Sequence, residues 1–243
     1  AYVLYTGFAI SPLLGLLIVL PLAFAANWLI YRVMLTPLVK RARNRVTLEI
    51  DSILATFGLL FVLQGIAFVV FGGQYYSYSY LSVPLHLGGS IVSVNRLLAL
   101  GFAAALGIVL YLALTRTRSG TAIRAVAVDP TSAQLVAINV RRVAGFAFAL
   151  GGAMCAAGGV LTSMFLTFNA AMGVVFTMKA LIVVIMGGVG NLLGCLVAGL
   201  ILGLAETFVA TFVDPGLTLA TTYALFLVIL LVRPQVLFGT ASR

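Results

Sequence analysis

Charge is what this sequence has least of. Its 243 residues include 14 Lys and Arg, 5 Asp and Glu and 1 His, so 8% are charged against 63% hydrophobic, and the mean hydropathy is +1.22. So few charges cannot supply the polar skin of a water-soluble fold of this length, and the chain reads as a membrane protein. Cysteine is nearly absent. Only Cys155 and Cys195 occur, each in a glycine- and leucine-rich stretch, which excludes a disulfide framework and a four-ligand metal site and leaves both as small buried hydrophobes. No lysine follows a glycine, since Val39 precedes Lys40 and Met178 precedes Lys179. A phosphate-binding loop is therefore missing, and the chain is not its own ATPase. The single His86 is expected in a loop without a carboxylate or cysteine nearby, so no hydrolytic constellation forms and enzymatic activity is excluded. A basic n-region is also lacking after Ala1, so no signal peptide is recognisable and the chain is expected to start partway through a larger protein.

Long apolar runs are what the chain has in place of charge. A helix needs about 20 apolar residues to cross the hydrocarbon. Runs of that order cover Ser11 to Leu35, Thr47 to Phe71, Asn95 to Thr115 and Val143 to Phe165. A longer one, Val174 to Val213, is broken at Gly187-Gly188-Val189-Gly190-Asn191, and Leu217 to Val232 closes the series before Arg233-Pro234. The expected fold is all-α, a polytopic bundle forming one transmembrane domain over 1–243, with a broken or half-helix segment near the glycine-rich turn at 187–194.

The formal net charge of +9 does not point to nucleic acid, because the basic residues cluster between apolar runs instead of lining one face. They group as Arg32, Lys40, Arg41, Arg43 and Arg45, then Arg116, Arg118, Arg124, Arg141 and Arg142, then Arg233 and Arg243, with only Arg96 and Lys179 elsewhere. If each apolar stretch crosses once and the glycine break separates two crossings, all three groups fall on one face. Basic residues collect on the cytoplasmic side, so the C-terminus is expected there. Val174 to Gly187 is short for a crossing, which leaves a re-entrant segment open. On the opposite face, Tyr75, Tyr76, Tyr78 and Tyr80 suit an aromatic belt better than a ligand cage.

Within the stretch 116–142, Asp129 is a good N-cap and Pro130 is favoured at the first helical position, which predicts a short helix from Asp129 with Asn139 at its end. A helix of that length is unstable alone in water and needs a surface to pack on. Inside the membrane, ionisable groups are expensive, which singles out Lys179 and Glu206. Each lies roughly 8 to 10 Å inside the outer end of its span at 1.5 Å per residue. An ion pair between them, contact of Lys179 with a substrate carboxylate, and independent snorkelling are all open, the ion pair leading. Gly187, Gly188 and Gly190 with Asn191 allow irregular backbone that could line a polar route or serve packing alone. Gly190 with Gly194, Gly199 with Gly203, and Ala149, Ala153 and Ala157 offer small faces for close helix contact.

The run Ile123-Arg124-Ala125-Val126-Ala127-Val128-Asp129-Pro130, then Ala133, then Ala137-Ile138-Asn139-Val140, resembles the cytoplasmic coupling loop of the branched-chain amino-acid (LivH-type) ABC permeases. The resemblance extends over nearly the whole chain, through Ala55-Thr56-Phe57-Gly58, Leu63-Gln64, Met178-Lys179-Ala180, the glycine turn with Gly194, Leu202-Gly203-Leu204-Ala205-Glu206, Arg233-Pro234 and Leu237-Phe238-Gly239. It departs at Ala137, where the family usually has glycine, and at the start, where the family carries a further span ahead of Ala1. The resemblance implies an inner-membrane permease subunit importing branched-chain or other small amino acids, or a related amide or urea. It also implies partners: a second permease subunit, cytoplasmic subunits that bind ATP and Mg, and a periplasmic binding protein, with lipid around the bundle and no cofactor in this chain. Asp129, Pro130, Ala133, Ala137 and Asn139, flanked by Arg124 and Arg141, would couple to the ATPase. An ion-driven secondary transporter and a non-transporting scaffold are the alternatives.

Overall fold

The computed structural model describes residues 2–8, 11–41, 44–78, 84–87 and 90–232. Arg43, Tyr80, Arg233, Pro234, Leu237, Phe238, Gly239 and Arg243 lie outside them. The fold is all-α save for one short hairpin, and among the described residues five helices are long and apolar enough to cross a membrane. The chain divides into two compact units, 1–170 and 171–243.

In the first unit, α1 (Tyr2–Phe8) leads to α2 (Pro12–Ile30), which passes through a π-helical turn, Tyr31–Leu35, into α3 (Thr36–Arg41). The sequence places the end of this span near Leu35, whereas helical backbone runs on to Arg41. The wider turn, closed by the Thr36 N–H on the Tyr31 carbonyl, lies directly before Pro37, whose ring and missing N–H would break a regular helix. Next comes α4 (Arg45–Phe71), and none of its described residues is buried. Its first turns carry Glu49 and Asp51, so the apolar part begins at Ile53 and extends about 28 Å, close to the thickness of the hydrocarbon.

A hairpin follows, β1 (Pro84–Leu87) antiparallel to β2 (Ser90–Ser93), with His86 opposite Ile91. His86 thus sits in a strand, not the expected loop, because its backbone pairs with β2, which apolar periodicity alone does not reveal. The unit continues with α5 (Val94–Arg116), α6 (Arg118–Val128), α7 (Pro130–Leu135) and α8 (Val140–Ser163).

Close approach of α2 and α8 builds the core. Gly145, Ala149, Ala153 and Ala157 recur every four residues along α8 and are buried, so they form one small-residue face. The contact leaves no room to spare: a Cβ on Gly145 would meet the Tyr31 ring at 2.8 Å, and one on Gly152 would meet the Asn27 side chain at 2.1 Å. Toward the C-terminal end of α8, Leu16, Ala99, Ala157, Val160, Leu161 and Met164 form an apolar cluster. Cys155 is exposed on the other side of α8 and so is not the buried residue its sequence context suggests, while Cys195 is half-buried.

Of the tyrosines after α4, Tyr75 is exposed, while Tyr76 and Tyr78 pack in a ring cluster with Tyr2, Tyr5 and Phe168. Tyr76 and Phe168 exchange backbone hydrogen bonds at 2.9 Å, and the Tyr78 hydroxyl pairs with that of Ser163 at 2.8 Å. Burial raises the Tyr78 pKa, partly offset by the Ser163 hydrogen bond, so the phenol stays neutral at physiological pH.

The second unit comprises α9 (Gly173–Gly187), α10 (Leu192–Phe212), a 3-10 turn at Pro215–Leu217 and α11 (Thr218–Val232). Its core is Ile182, Met186 and Ala198, flanked by Val183, Leu225, Phe226 and Ile229. α9 is 15 residues long.

Candidate functional site

The segment between α5 and α8 folds as a compact helical bracket. Thr117 caps α6, its Oγ1 accepting from the Gly120 N–H at 3.1 Å, and Gly120 is obligatory because a Cβ there would lie 2.4 Å from the Ala113 carbonyl oxygen. An Arg124 guanidinium N–H reaches the Thr115 carbonyl at 3.5 Å and ties α6 back to α5.

At α7 the N-cap forms as the sequence leads one to expect. Asp129 Oδ1 accepts from the Thr131 N–H at 2.9 Å, Oδ2 accepts from the Ser132 hydroxyl, and Pro130 occupies the first turn. The Ser132 hydroxyl first, and then the backbone N–H groups, hold the Asp129 carboxyl below the usual carboxylate range.

The C-terminal end differs from expectation. The helix stops at Leu135, and Asn139 instead caps α8, its Oδ1 accepting from the Arg142 N–H at 3.2 Å. The stop is made by Ala137, which has φ of 60°. Its N–H bonds to the Gln134 carbonyl and the next, of Ile138, to the Ala133 carbonyl, each at 3.1 Å. Those two bonds and the left-handed residue between them define a Schellman ending, for which glycine is the favoured residue. Ala133 is the buried point of α7, while Val128, Leu135 and Val136 around it are 88%, 86% and 69% exposed. Arg141 and Arg142 are exposed in the first turn of α8.

In the second unit the two ionisable span residues meet. Lys179 Nζ on α9 lies 2.8 Å from the Glu206 carboxylate on α10, with side chains 26% and 19% exposed. Sequence reasoning missed the third member. Thr222 on α11, 1% exposed, donates its hydroxyl to Glu206 Oε1 and has the Thr218 carbonyl as an alternative acceptor at 3.0 Å. One charged pair and one hydroxyl therefore join three helices.

The glycine break is a tight turn. Gly188 and Gly190 have φ of 92° and 88°, a conformation that L side chains rarely adopt. Asn191 caps α10, its Oδ1 accepting from the Gly194 N–H at 3.1 Å. Gly187 and Gly194 touch so closely that a Cβ on Gly194 would lie 2.0 Å from the Gly187 carbonyl oxygen. The close contact is thus Gly187 on Gly194, followed along α10 by the buried Ala198 and Leu202, and not the spaced pairs expected from sequence. Gly190 and Gly203 have open space where a Cβ would stand.

Among the described residues no cluster of His, Cys, Asp or Glu could hold a metal ion. The arrangement offers capped helix ends, apolar faces and one ion pair.

Comparison with known proteins puts this arrangement in context. A family described as branched-chain amino acid transport system, permease component, matches residues 1–233. The chain is 36% identical over 124 residues to the high-affinity branched-chain amino acid transport system permease protein LivH of Escherichia coli K12, covering 51% of this chain and 40% of that protein. It is 30% identical over 156 residues to BraD, the corresponding permease of Pseudomonas aeruginosa, covering 63% and 50%. To a probable LivH of Methanocaldococcus jannaschii it is 27% identical over 209 residues, covering 83% and 64%. The chain thus spans between two fifths and two thirds of the length of these relatives. No solved structure shows significant similarity to it. The relatives are transport components and not enzymes, and with the matching family over almost its full length the chain belongs to the branched-chain amino acid transport permeases, as a multi-pass membrane protein.

Proposed function

We propose that this chain is the membrane-spanning permease of an ATP-driven importer in the inner membrane, forming one transport domain with α7 and its caps as the coupling element. The cargo is a branched-chain or other small amino acid, or a related amide or urea. ATP and Mg bind to separate cytoplasmic subunits that seat α7, a second permease subunit completes the pathway, and a periplasmic binding protein delivers cargo. The bracket, and with it the C-terminus, faces the cytoplasm.

The observation that carries this reading is the bracket itself. A helix of 6 residues is too short to persist alone, yet α7 is closed at both ends by Asp129 and the Ala137 turn and buries Ala133 against the rest of the unit. A short rod held this way transmits a rigid-body displacement, which a loop cannot. The exposed Val128, Leu135 and Val136 give a partner apolar side chains to cover, each contributing about 2 kcal/mol when fully buried. Arg124, Arg141 and Arg142 surround them with positive charge suited to an acidic groove. The E. coli and Pseudomonas relatives are named for high-affinity branched-chain amino acid transport, which supports the cargo class.

Co-purification with candidate ATPase subunits, then substrate-stimulated ATP hydrolysis with and without Asp129→Lys, tests the reading. The substitution removes the cap and reverses the charge, so hydrolysis should uncouple from transport while the binding protein still captures cargo. Unchanged transport by Asp129→Lys would refute the coupling role.

A further inference from the structure

A basic cleft lies in the first unit, where the π-helical turn after α2 meets the start of α8. Its volume is about 310 Å³; α2 and the turn contribute Trp28, Tyr31 and Arg32, and α8 contributes Arg141, Arg142 and Gly145. Gly145 has no side chain, so the Tyr31 ring sits directly against it, and arginines from two helices gather round one opening. Among the described residues none of the three guanidiniums joins an ion pair or donates a hydrogen bond, and no acid lines the cleft. The chain has little counter-charge to offer. Of its five acids, Glu206 holds Lys179, Asp129 and Asp214 cap helical turns, and Glu49 and Asp51 stand on α4. Depth matters as much as charge. Arg32 follows Pro12, at the start of α2, by a rise of about 30 Å, and Arg142 precedes Ser163, at the end of α8, by a similar rise, so the cleft opens where hydrocarbon gives way to headgroups. An aromatic ledge leads from it toward the bilayer centre. The Trp28 ring stacks on Phe24 with centroids 6.3 Å apart, and Phe24 meets Phe146 edge-on at 5.5 Å, each phenylalanine one turn deeper than Trp28 or Arg142.

We infer that this cleft holds the headgroup of an anionic phospholipid, its phosphodiester on Arg32, Arg141 and Arg142 and an acyl chain along Phe24 and Phe146. Guanidinium forks match phosphate oxygens, and the first turn of α8 adds the positive end of its dipole. A basic recess between spans with a tryptophan at its edge suits a lipid, whereas a free phosphate would leave the ledge uncovered. The ammonium of a zwitterionic headgroup would meet the same three cations, which selects against it. The site goes beyond the importer reading and stands without it. Contact of Arg141 and Arg142 with a protein partner remains compatible, since each guanidinium carries several donors. Occupied, the cleft would brace the start of α8, which follows directly on α7, so the anionic lipid content of the membrane bears on the bracket.

Trp28 is the chain's single tryptophan and lines the cleft, so its fluorescence reports occupancy. The full chain is reconstituted in phosphatidylcholine vesicles, into which phosphatidylglycerol, phosphatidylethanolamine or phosphatidylcholine with brominated acyl chains is titrated. Bromine quenches only at short range, so the lipid fraction at half-quenching ranks the headgroups. Brominated phosphatidylglycerol should half-quench Trp28 at a fraction about fivefold or more below that of either other lipid. Arg32→Gln should reduce this advantage about threefold, and the triple substitution with Arg141→Gln and Arg142→Gln should abolish it. Arg116→Gln with Arg118→Gln, two exposed arginines outside the cleft, should leave it within about 1.5-fold. Circular dichroism and the Trp28 emission maximum in plain phosphatidylcholine check each fold, and Arg32→Gln alone carries the test if the triple variant does not fold. Three results overturn the inference: no preference for phosphatidylglycerol in the wild type, an equal loss in the Arg116 and Arg118 variant, which would mean a diffuse surface field, or an advantage unchanged by Arg32→Gln. Relief of quenching by excess inorganic phosphate or glycerol 1-phosphate overturns it too, since the ligand would then be a soluble phosphate.

Discussion

Replacing Lys179 by methionine removes one member of the three-helix network and leaves the Glu206 carboxylate with Thr222 as its remaining hydrogen-bond donor. Breaking one side of a fully buried pair costs about 3 to 5 kcal/mol. Here the two side chains are 26% and 19% exposed and lie within the spans, so the expected cost is about 3 kcal/mol, at the lower end of that range. Glu206→Gln should cost a similar amount, since it strands the lysine. The double substitution leaves no uncompensated charge and should lie within about 1 kcal/mol of wild type, because a neutral replacement for both members is often tolerated. Thr222→Val, nearly equal in volume, removes one hydrogen bond to a charged group and should cost about 1.5 to 3 kcal/mol.

Cys195 supplies the assay, since its half-buried thiol lies 3.8 Å from the Gly188 carbonyl within the same unit. In a Cys155→Ala background, maleimide labelling of Cys195 along an SDS titration reports opening of the second unit. Additive single substitutions, or a shift below about 0.5 kcal/mol for Lys179→Met, would show that the pair does not hold these helices together.

Other outcomes follow from local geometry. Gly194→Ala drives a methyl to within 2.0 Å of a backbone oxygen that cannot step aside, so the α9–α10 turn should lose about 3 kcal/mol or more in the same labelling assay. Ala137→Gly should stabilise: the left-handed backbone costs alanine about 1 to 2 kcal/mol, glycine gives back roughly half through its freer unfolded chain, and the net gain should slow amide exchange at Ile138. Asp129 has its pKa lowered on folding, so its cap contributes fully above the usual carboxylate range and is lost as pH falls through the depressed value. Protection of the Thr131 amide relative to its intrinsic exchange rate should therefore fall only in that acid range, and Asp129→Asn, which keeps an acceptor, should remove that loss of protection.

What was legible in the sequence is what short-range chemistry decides. The long spans follow from apolar length, the start of α7 from the Asp129-Pro130 pair, and the sharp turn before α10 from its glycines. The small face of α8 follows from four-residue spacing. Features that depend on distant partners were not legible. Thr222 lies in an apolar run with other threonines, and only the fold puts it beside Glu206. The hairpin around His86 depends on pairing between β1 and β2. Ala137 lies between these cases: its departure from glycine could be read, but its left-handed backbone could not.

The brevity of α9 bears on the lipid around it. A 15-residue helix rises about 22 Å, roughly 8 Å less than an ordinary hydrocarbon slab. Wherever this rod meets acyl tails, the bilayer must pinch inward to reach its polar ends, which costs a fraction of a kcal/mol per ångström. Shorter-tailed lipids relieve that deformation and should gather around α9, so membrane thickness becomes a variable to which this part of the chain responds.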